Sequence, residues 1–262
     1  MLAMETVQQS IYDFPDYYDL VYGSDWESEC HFLEECFQKF SPRETVELFE
    51  PACGTGRLLY RLGLKGYKVS GLDLNAQAVS YCNSRFKKQG IDGLARVGDM
   101  TDFVNETKAD ASFNTINSFR HLLTEQLAVK HLQCMADSLN SGGLYVLGLH
   151  LTPTEIEPSE DESWIAATDD LQVNTRMWLL ERNLKERFES FAIHFEVYTT
   201  EKFIRIEDEL LFRTYTASQF AKLLGKVSEL EVAATYDFSY DMDQPIQIDG
   251  TSEDVVFVLR KK

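Results

Sequence analysis

The chain has 262 residues, 44% hydrophobic and 12% aromatic, enough to bury one full core with an appended insertion. Its 25 Lys and Arg stand against 43 Asp and Glu, a formal net charge of −18, so a phosphate backbone would be repelled and nucleic acid is not an expected partner. The five cysteines, at 30, 36, 53, 82 and 134, form no CxxC pair and no zinc spacing, and no run approaches the length of a membrane span, so no metal site, disulfide framework or membrane contact is expected.

Residues 1–25 are polar and tyrosine-rich, with Tyr12, Tyr17, Tyr18 and Tyr22, and lead into a helix whose Trp26, Cys30, Leu33 and Phe37 recur at helical spacing. Residues 1–40 are therefore read as an N-terminal cap. The first residues carry neither the basic nor the apolar region of a secretion signal, which predicts a soluble cytoplasmic protein.

From Val46 to His150 strands and helices alternate. VELFE is a strand, RLLYRLGLK a helix closed by Gly66, YKVSGLD a second strand, and a helix capped by Asn75 follows with Val79, Cys82 and Phe86 inward. Late on that helix Arg85, Lys87 and Lys88 form the longest basic cluster, read as a solvated C-terminus. A short strand near LARV precedes Gly98 and Asp99, DASFNTINS is a fourth strand, residues 124–139 are a helix, and LYVLGLH is a fifth strand after Gly142 and Gly143. Such alternation predicts a parallel sheet with right-handed crossovers.

After His150 the composition shifts. Residues 154–172 hold seven acids and no Lys or Arg; the acid-rich segment 155–170 is read as a solvated loop, against a role in attracting a cationic amine, and three strand-like runs follow at RMWLLERN, FAIHFEVYT and FIRIEDELLFRTYT. They predict an antiparallel insertion over residues 151–215. A helix at SQFAKLLG and two strands, LEVAATYDF and DVVFVLRK, then return to the first sheet, so residues 1–262 are read as a single domain.

The chemistry concentrates at strand ends. VELFE runs into PACGTGR, giving Glu50, Ala52, Gly54 and Gly56 the pattern E-x-A-x-G-x-G at a strand-to-helix turn. Leu59 stands where a dinucleotide fingerprint has its third glycine, which disfavours NAD and favours a ligand without a pyrophosphate. Asp73 ends the next strand, Asp99 follows the third, and Asn117 and Ser118 end the fourth. These ends share one edge of a parallel sheet, the edge at which such sheets bind ligands.

In these residues the sequence resembles the class I S-adenosylmethionine (SAM)-dependent methyltransferases, with Ala52 in place of the first glycine. The resemblance implies a doubly wound, Rossmann-like α/β sheet of seven strands with an antiparallel β insertion after the fifth. SAM would be the cofactor and S-adenosylhomocysteine the product. Asp73, with Leu74 beside it, would take the ribose hydroxyls, Asp99 the adenine amino group, and the Met100 backbone a ring nitrogen, while Asn117 would border the methyl-transfer pocket. Tyr18-Asp19-Leu20-Val21-Tyr22, then Asp25-Trp26 and Glu29, are similar to the opening of small-molecule methyltransferases such as the sugar N,N-dimethyltransferases, with glycine N-methyltransferase-like proteins more distant.

A methyl group leaving a sulfonium moves by in-line displacement, so the enzyme orients the acceptor and, for a poor nucleophile, removes its proton. His121 and His150, just beyond the fourth and fifth strands, are the candidates for that task, against a plainer role for each as a turn cap or hydrogen-bonded residue. Tyr18 and Tyr22 could face the sulfonium or simply pack, and Arg120 could bind an anionic group or pair with a local acid. Cys53 is read as a small buried residue. The expected function is methyl transfer to an oxygen or nitrogen of a small molecule, with the insertion either shaping the acceptor pocket or joining a homodimer. A SAM-fold protein that binds without catalysis is the alternative. A nucleic-acid methyltransferase is disfavoured by the charge and by Asn114-Thr115-Ile116-Asn117, which lacks the N-P-P-Y that holds a flipped base.

Overall fold

The computed structural model describes residues 4–23, 26–158 and 161–262. Asp25, part of the opening pattern, lies outside the described residues, as do Ser159 and Glu160 of the acidic segment.

Strand β1 (Met4–Gln8) and helices α1 (Pro15–Tyr22) and α2 (Trp26–Phe40) precede an alternating run: β2 (Glu47–Pro51), α3 (Arg57–Leu64), β3 (Lys68–Asp73), α4 (Ala76–Gln89), β4 (Gly93–Val97), β5 (Ala109–Asn114), α5 (Glu125–Ser138) and β6 (Leu139–His150). Because β1 comes first, the fourth and fifth strands of the sequence reading are β5 and β6. Four strands follow, β7 (Asp161–Ala167), β8 (Leu171–Asn183), β9 (Phe188–Thr199) and β10 (Phe203–Arg213), then α6 (Ala217–Leu224), β11 (Leu230–Tyr236) and β12 (Asp254–Lys261).

The seven-stranded sheet has the order β11-β12-β6-β5-β2-β3-β4. The five strands from β6 to β4 are parallel, and β12 and β11 add antiparallel pairings at the far side. The chain builds outward from β2 to β3 and β4, then returns to β5 on the other side of β2. That reversal opens a crevice at the carboxyl ends of β2 and β5, where doubly wound sheets seat their ligands.

Alternation along each strand sends side chains to two cores. Leu48, Val69, Phe113 and Val146 meet Phe32, Leu33 and Phe37 of α2, Leu58, Leu59 and Leu62 of α3, and Val79, Cys82 and Phe86 of α4. Phe49, Leu72, Tyr145 and Leu147 meet Leu132 and Met135 of α5 and Phe220 and Leu223 of α6 on the other face. Helix α4 starts as its sequence dictates, since Asn75 Oδ1 accepts from the N–H groups of Gln77 and Ala78. Thr124 and Thr216 cap α5 and α6 in the same way.

The second sheet, β1-β10-β9-β8-β7, corrects the sequence reading in two places. The acidic segment is not loop throughout: DESWIAA forms β7, antiparallel to β8, and tolerates its acids because the strand lies at the sheet edge with most side chains in solvent. The N-terminal residues also supply a strand, β1, which pairs in parallel with β10 and forms the opposite edge of the sheet. Helix α1 packs on this sheet through Val21, against Val173, Ile193, Phe195 and Val197. The cap and the insertion thus share one apolar core.

Candidate active site

The glycine turn follows β2 directly. Ala52, Gly54 and Gly56 all take left-handed backbone angles, with φ of 55°, 52° and 67°. Only glycine does this without steric cost, so Ala52 is held there under strain. Leu59, in the position of the missing third glycine, is buried, and the close helix–strand approach is made one strand over. A Cβ on Gly71 of β3 would lie 2.9 Å from Leu59 Cδ1 and 2.8 Å from Cys53 Sγ.

Asp73 organises the turn. Its Oδ2 accepts from the Gly54 N–H and its Oδ1 from the Asn75 N–H, both at 2.8 Å. Burial pushes the Asp73 pKa upward, and these two N–H groups oppose that shift. Each oxygen keeps a further lone pair for a hydroxyl ligand. Leu74 beside it is 73% exposed.

Glu50, the penultimate residue of β2, is buried, and its Oε2 has no hydrogen-bond partner among the described residues. Burial raises its pKa far above the usual range, only partly countered by Arg57. A buried acceptor lacking a donor, next to left-handed glycines that let a ligand approach the backbone, fits a cationic, phosphate-free ligand such as SAM, which carries an ammonium and a sulfonium. On the third strand's turn Asp99 is exposed and uses Oδ1 to accept from the N–H and hydroxyl of Thr101, at 2.7 and 2.9 Å. Met100 packs against the α5 side of the core, and its carbonyl lies 2.9 Å from His131 Nδ1.

Helix α1 docks onto this turn. Tyr18 is the neighbour above Gly54, since a Cβ there would lie 3.7 Å from its ring. Asp19 accepts from the Thr55 hydroxyl at 2.7 Å and pairs with Arg85 of α4. Arg85 was expected to be solvated; instead it lies over the rings of Tyr60 and Tyr81 and anchors the cap. Asn75 adds a hydrogen bond to Asp13 at 2.9 Å. Beneath lies a buried ion pair, Arg57 to both Glu29 oxygens at 2.6 and 2.7 Å, completed by the Thr115 hydroxyl donating to Glu29 at 2.6 Å.

A cavity of about 480 Å³ opens beside Tyr18, between the edge of the seven-stranded sheet and the inner face of the insertion. Of the residues singled out from sequence, its walls include Tyr12, Tyr18, Tyr22, Glu29, Asn117, Arg120, His121 and His150. Glu50, Ala52, Gly54, Gly56, Asp73, Leu74, Asp99 and Met100 are not among its walls. Tyr18 separates the two groups, touching the glycine turn on one side and the cavity on the other.

His150 and Asn117 are joined, because Asn117 Oδ1 accepts from the His150 backbone N–H at 3.0 Å. The His150 ring is held by Asp254, whose Oδ1 lies 2.5 Å from Nδ1, and by the edge of Phe238. His121 opens onto the cavity with its ring 4.8 Å from that of Phe212. The protein around its other sides, followed by the neighbouring Arg120 charge, holds its pKa below the ordinary histidine value. Arg120 does not project into solvent. It is buried and paired with Glu189, which also accepts from Arg182 at 2.8 Å. No group of His, Cys, Asp and Glu side chains among the described residues is arranged to hold a metal.

Asp254, Glu189, Trp164 and Phe238 escaped the sequence reading. Each belongs to β12, the insertion or the β11–β12 loop, whose approach to the cavity is a long-range contact with no local motif. Asp254 alone left a signal, as the acid that opens the apolar strand DVVFVLRK.

Residues 49–143 match the family model described as a methyltransferase domain. Together with the glycine turn, the fold is that of the class I SAM-dependent methyltransferase structures. Over 236 residues the chain is 21% identical to a protein of Geobacillus sp. (strain WCH70) named as a methyltransferase without an acceptor, covering 90% of this chain and 92% of that one. A SAM-dependent methyltransferase of Clostridium acetobutylicum ATCC 824 superposes with a TM-score of 0.76 at 18% identity, covering 95% and 97% of the two chains. The SAM-bound amino pentose methyltransferase of Micromonospora echinaspora gives 0.74 at 17% identity, covering 98% and 99%. At these identities the structural likeness establishes the shared fold. No described helix is long and apolar enough to cross a membrane.

Proposed function

We propose that the chain transfers the SAM methyl group to an oxygen or nitrogen of a small-molecule acceptor seated in the cavity, and that residues 1–262 act as one domain. The observation that carries this is the position of Tyr18, which forms a shared wall between the glycine turn and a cavity of small-molecule size. The amino pentose methyltransferase of the same fold is a precedent for a small acceptor. The insertion serves the acceptor pocket on this reading, since Trp164, Met177 and Phe212 line the cavity.

The donor supplies a methyl group already activated on a sulfonium. Glu50 and the turn residues Ala52, Gly54 and Gly56 hold its amino-acid end, Asp73 and Leu74 its ribose, and Asp99 with Met100 its adenine. Tyr18 and Asn117 border the transferred methyl. The aromatic faces of Tyr18 and Tyr22, 4.8 Å apart, favour positive charge at that point and exclude water. His150 takes the acceptor proton on Nε2 while Asp254 fixes the ring through Nδ1 and stabilises the imidazolium that forms. Neutral His121 accepts a hydrogen bond from the acceptor and orients it.

Calorimetry with S-adenosylhomocysteine, followed by mass spectrometry of SAM reactions with a panel of small amines and alcohols, tests the proposal. A folded protein that binds no S-adenosylhomocysteine at millimolar concentration would overturn it. Binding without methylation of any acceptor would favour the non-catalytic alternative. Asp73→Ala should cost about 1–3 kcal/mol of S-adenosylhomocysteine binding, the worth of hydrogen bonds to a charged group.

A further inference from the structure

Helix α5 reaches the turn after β4 with two side chains one helical turn apart. His131 Nδ1 lies 2.9 Å from the Met100 carbonyl oxygen, and Cys134 Sγ lies 3.4 Å from the Thr101 carbonyl oxygen. A carbonyl only accepts, so Nδ1 carries the hydrogen and donates it. The other ring nitrogen, Nε2, is then the acceptor, and Tyr145 on β6 donates its hydroxyl to it at 2.8 Å. His131 is fully buried, with Phe119 and Tyr145 set edge-on around its ring. Burial drops its pKa to about 4, so the neutral ring with this single tautomer persists across the physiological range.

The relay runs from Tyr145 in the middle of the sheet, through His131, to the backbone of a partly exposed turn. A buried histidine could satisfy its two nitrogens on side chains of its own core; this one instead grips a loop carbonyl. On the outer side Asp99 Oδ1 is fixed by the Thr101 N–H and hydroxyl. Residues 99–101 are thus held from within by α5 and from without by their own side chains. A hydrogen bond to the Met100 carbonyl also fixes the plane of the Met100–Thr101 peptide, and with it the torsions at Met100 that orient the preceding peptide group.

We propose that His131, oriented by Tyr145, is a positioning residue for adenine recognition, fixing the Asp99–Met100 turn in the geometry that distinguishes an adenine amino group from an oxygen. This rests on the assignment of Asp99 and Met100 to the adenine end of SAM. Loss of the His131 donor lets the Met100 carbonyl swing toward water and widens the range of turn geometries, so ligand contacts made by Asp99 and the Met100 backbone weaken together. Contacts at Asp73 and Glu50, on other strands, are untouched.

The test is calorimetric and needs no acceptor. S-adenosylhomocysteine and its inosine counterpart, S-inosylhomocysteine, are titrated into the wild-type chain, His131→Leu, His131→Asn and Tyr145→Phe. His131→Leu should weaken S-adenosylhomocysteine by about three- to tenfold, the worth of one hydrogen bond, and weaken the inosine analogue less, so that discrimination falls. His131→Asn, whose amide can donate to the Met100 carbonyl, should restore part of it, and Tyr145→Phe should lose less than His131→Leu. If His131→Leu does not fold, the Asn and Phe variants carry the comparison. Unchanged discrimination in every folded variant overturns the positioning role. Absence of S-adenosylhomocysteine binding to the wild-type chain would instead overturn the cofactor assignment on which it rests.

Discussion

Asp254 Oδ1 sits 2.5 Å from Nδ1 of His150, joining the first residue of β12 to the last residue of β6 across an antiparallel pair in which the two are direct partners. The register of two buried strands therefore sets the ring of His150 toward the cavity, and the carboxylate selects which nitrogen faces the acceptor. Removing the imidazole in His150→Gln should lower turnover by about a hundredfold or more, as for loss of a general base, while S-adenosylhomocysteine affinity stays within about twofold. Asp254→Asn should lower turnover less, because the ring remains but its orientation is no longer fixed. Equal losses in turnover and cofactor affinity would show that the pair is structural.

Glu50 predicts a pH dependence of stability. Its folded-state pKa is raised by burial above the unfolded value, so between those two values the folded chain binds the extra proton. Unfolding then releases that proton, and stability falls as pH rises through the window above the ordinary glutamate range. Glu50→Gln removes the titration, so its Tm should exceed that of the wild-type chain toward alkaline pH and converge with it in acid. The same substitution should weaken binding of S-adenosylhomocysteine, because the incoming ammonium favours the ionised Glu50 carboxylate and a glutamine cannot ionise. Parallel Tm curves for the two proteins across pH 4–9 would contradict this account of Glu50.

The seven-stranded sheet was legible because each strand end carries its own local mark: Gly54 and Gly56 after β2, Asp73 after β3, Asp99 after β4, and Asn117 beyond β5. Those residues lie within a few positions of a hydrophobic run, so period and punctuation sufficed. The cavity was only half legible. His121 and His150 stand at strand ends and could be proposed, but Asp254 is 104 residues from its partner and Glu189 is 69 from Arg120. Edge strands β1 and β7 were missed for a related reason. Their sequences are polar because one side of each faces solvent, and what makes them strands is the pairing offered by β10 and β8.

Gly54 and Gly56 should respond differently to alanine. Both have positive φ, so each substitution carries a backbone cost of about 1–2 kcal/mol. At Gly54 the new Cβ would rest 3.7 Å from the Tyr18 ring, an ordinary contact, whereas at Gly56 it would lie 2.3 Å from Cys82 Sγ. Gly56→Ala should therefore be the more destabilising of the two in urea denaturation. In a Cys82→Ala background the Gly56→Ala cost should drop toward that of Gly54→Ala, and a cost unchanged by Cys82→Ala would rule out the steric explanation. Ala52, already at φ 55°, makes the converse case, since Ala52→Gly should relieve about 1 kcal/mol.

The Arg57–Glu29 pair couples the cap to the glycine turn and should be the costliest place to remove a charge. Burial alone would lower the Arg57 pKa, but Glu29 more than offsets it and the guanidinium stays firmly protonated. Both side chains are less than a tenth exposed, so Glu29→Met or Arg57→Met leaves a charge in the interior with its main partner gone, at about 3–5 kcal/mol. Replacing both, in Glu29→Met with Arg57→Met, leaves no orphaned charge and should cost less than either single change, since a buried ion pair is weak stabilisation relative to apolar packing. The double variant should nevertheless bind S-adenosylhomocysteine less well, because Arg57 also opposes the rise in the Glu50 pKa, and without it Glu50 becomes a weaker partner for an ammonium. Urea denaturation and calorimetry on the same four proteins separate the two effects. Additive stability losses in the double variant would mean that the two residues act independently, and that α2 holds the glycine turn by packing alone.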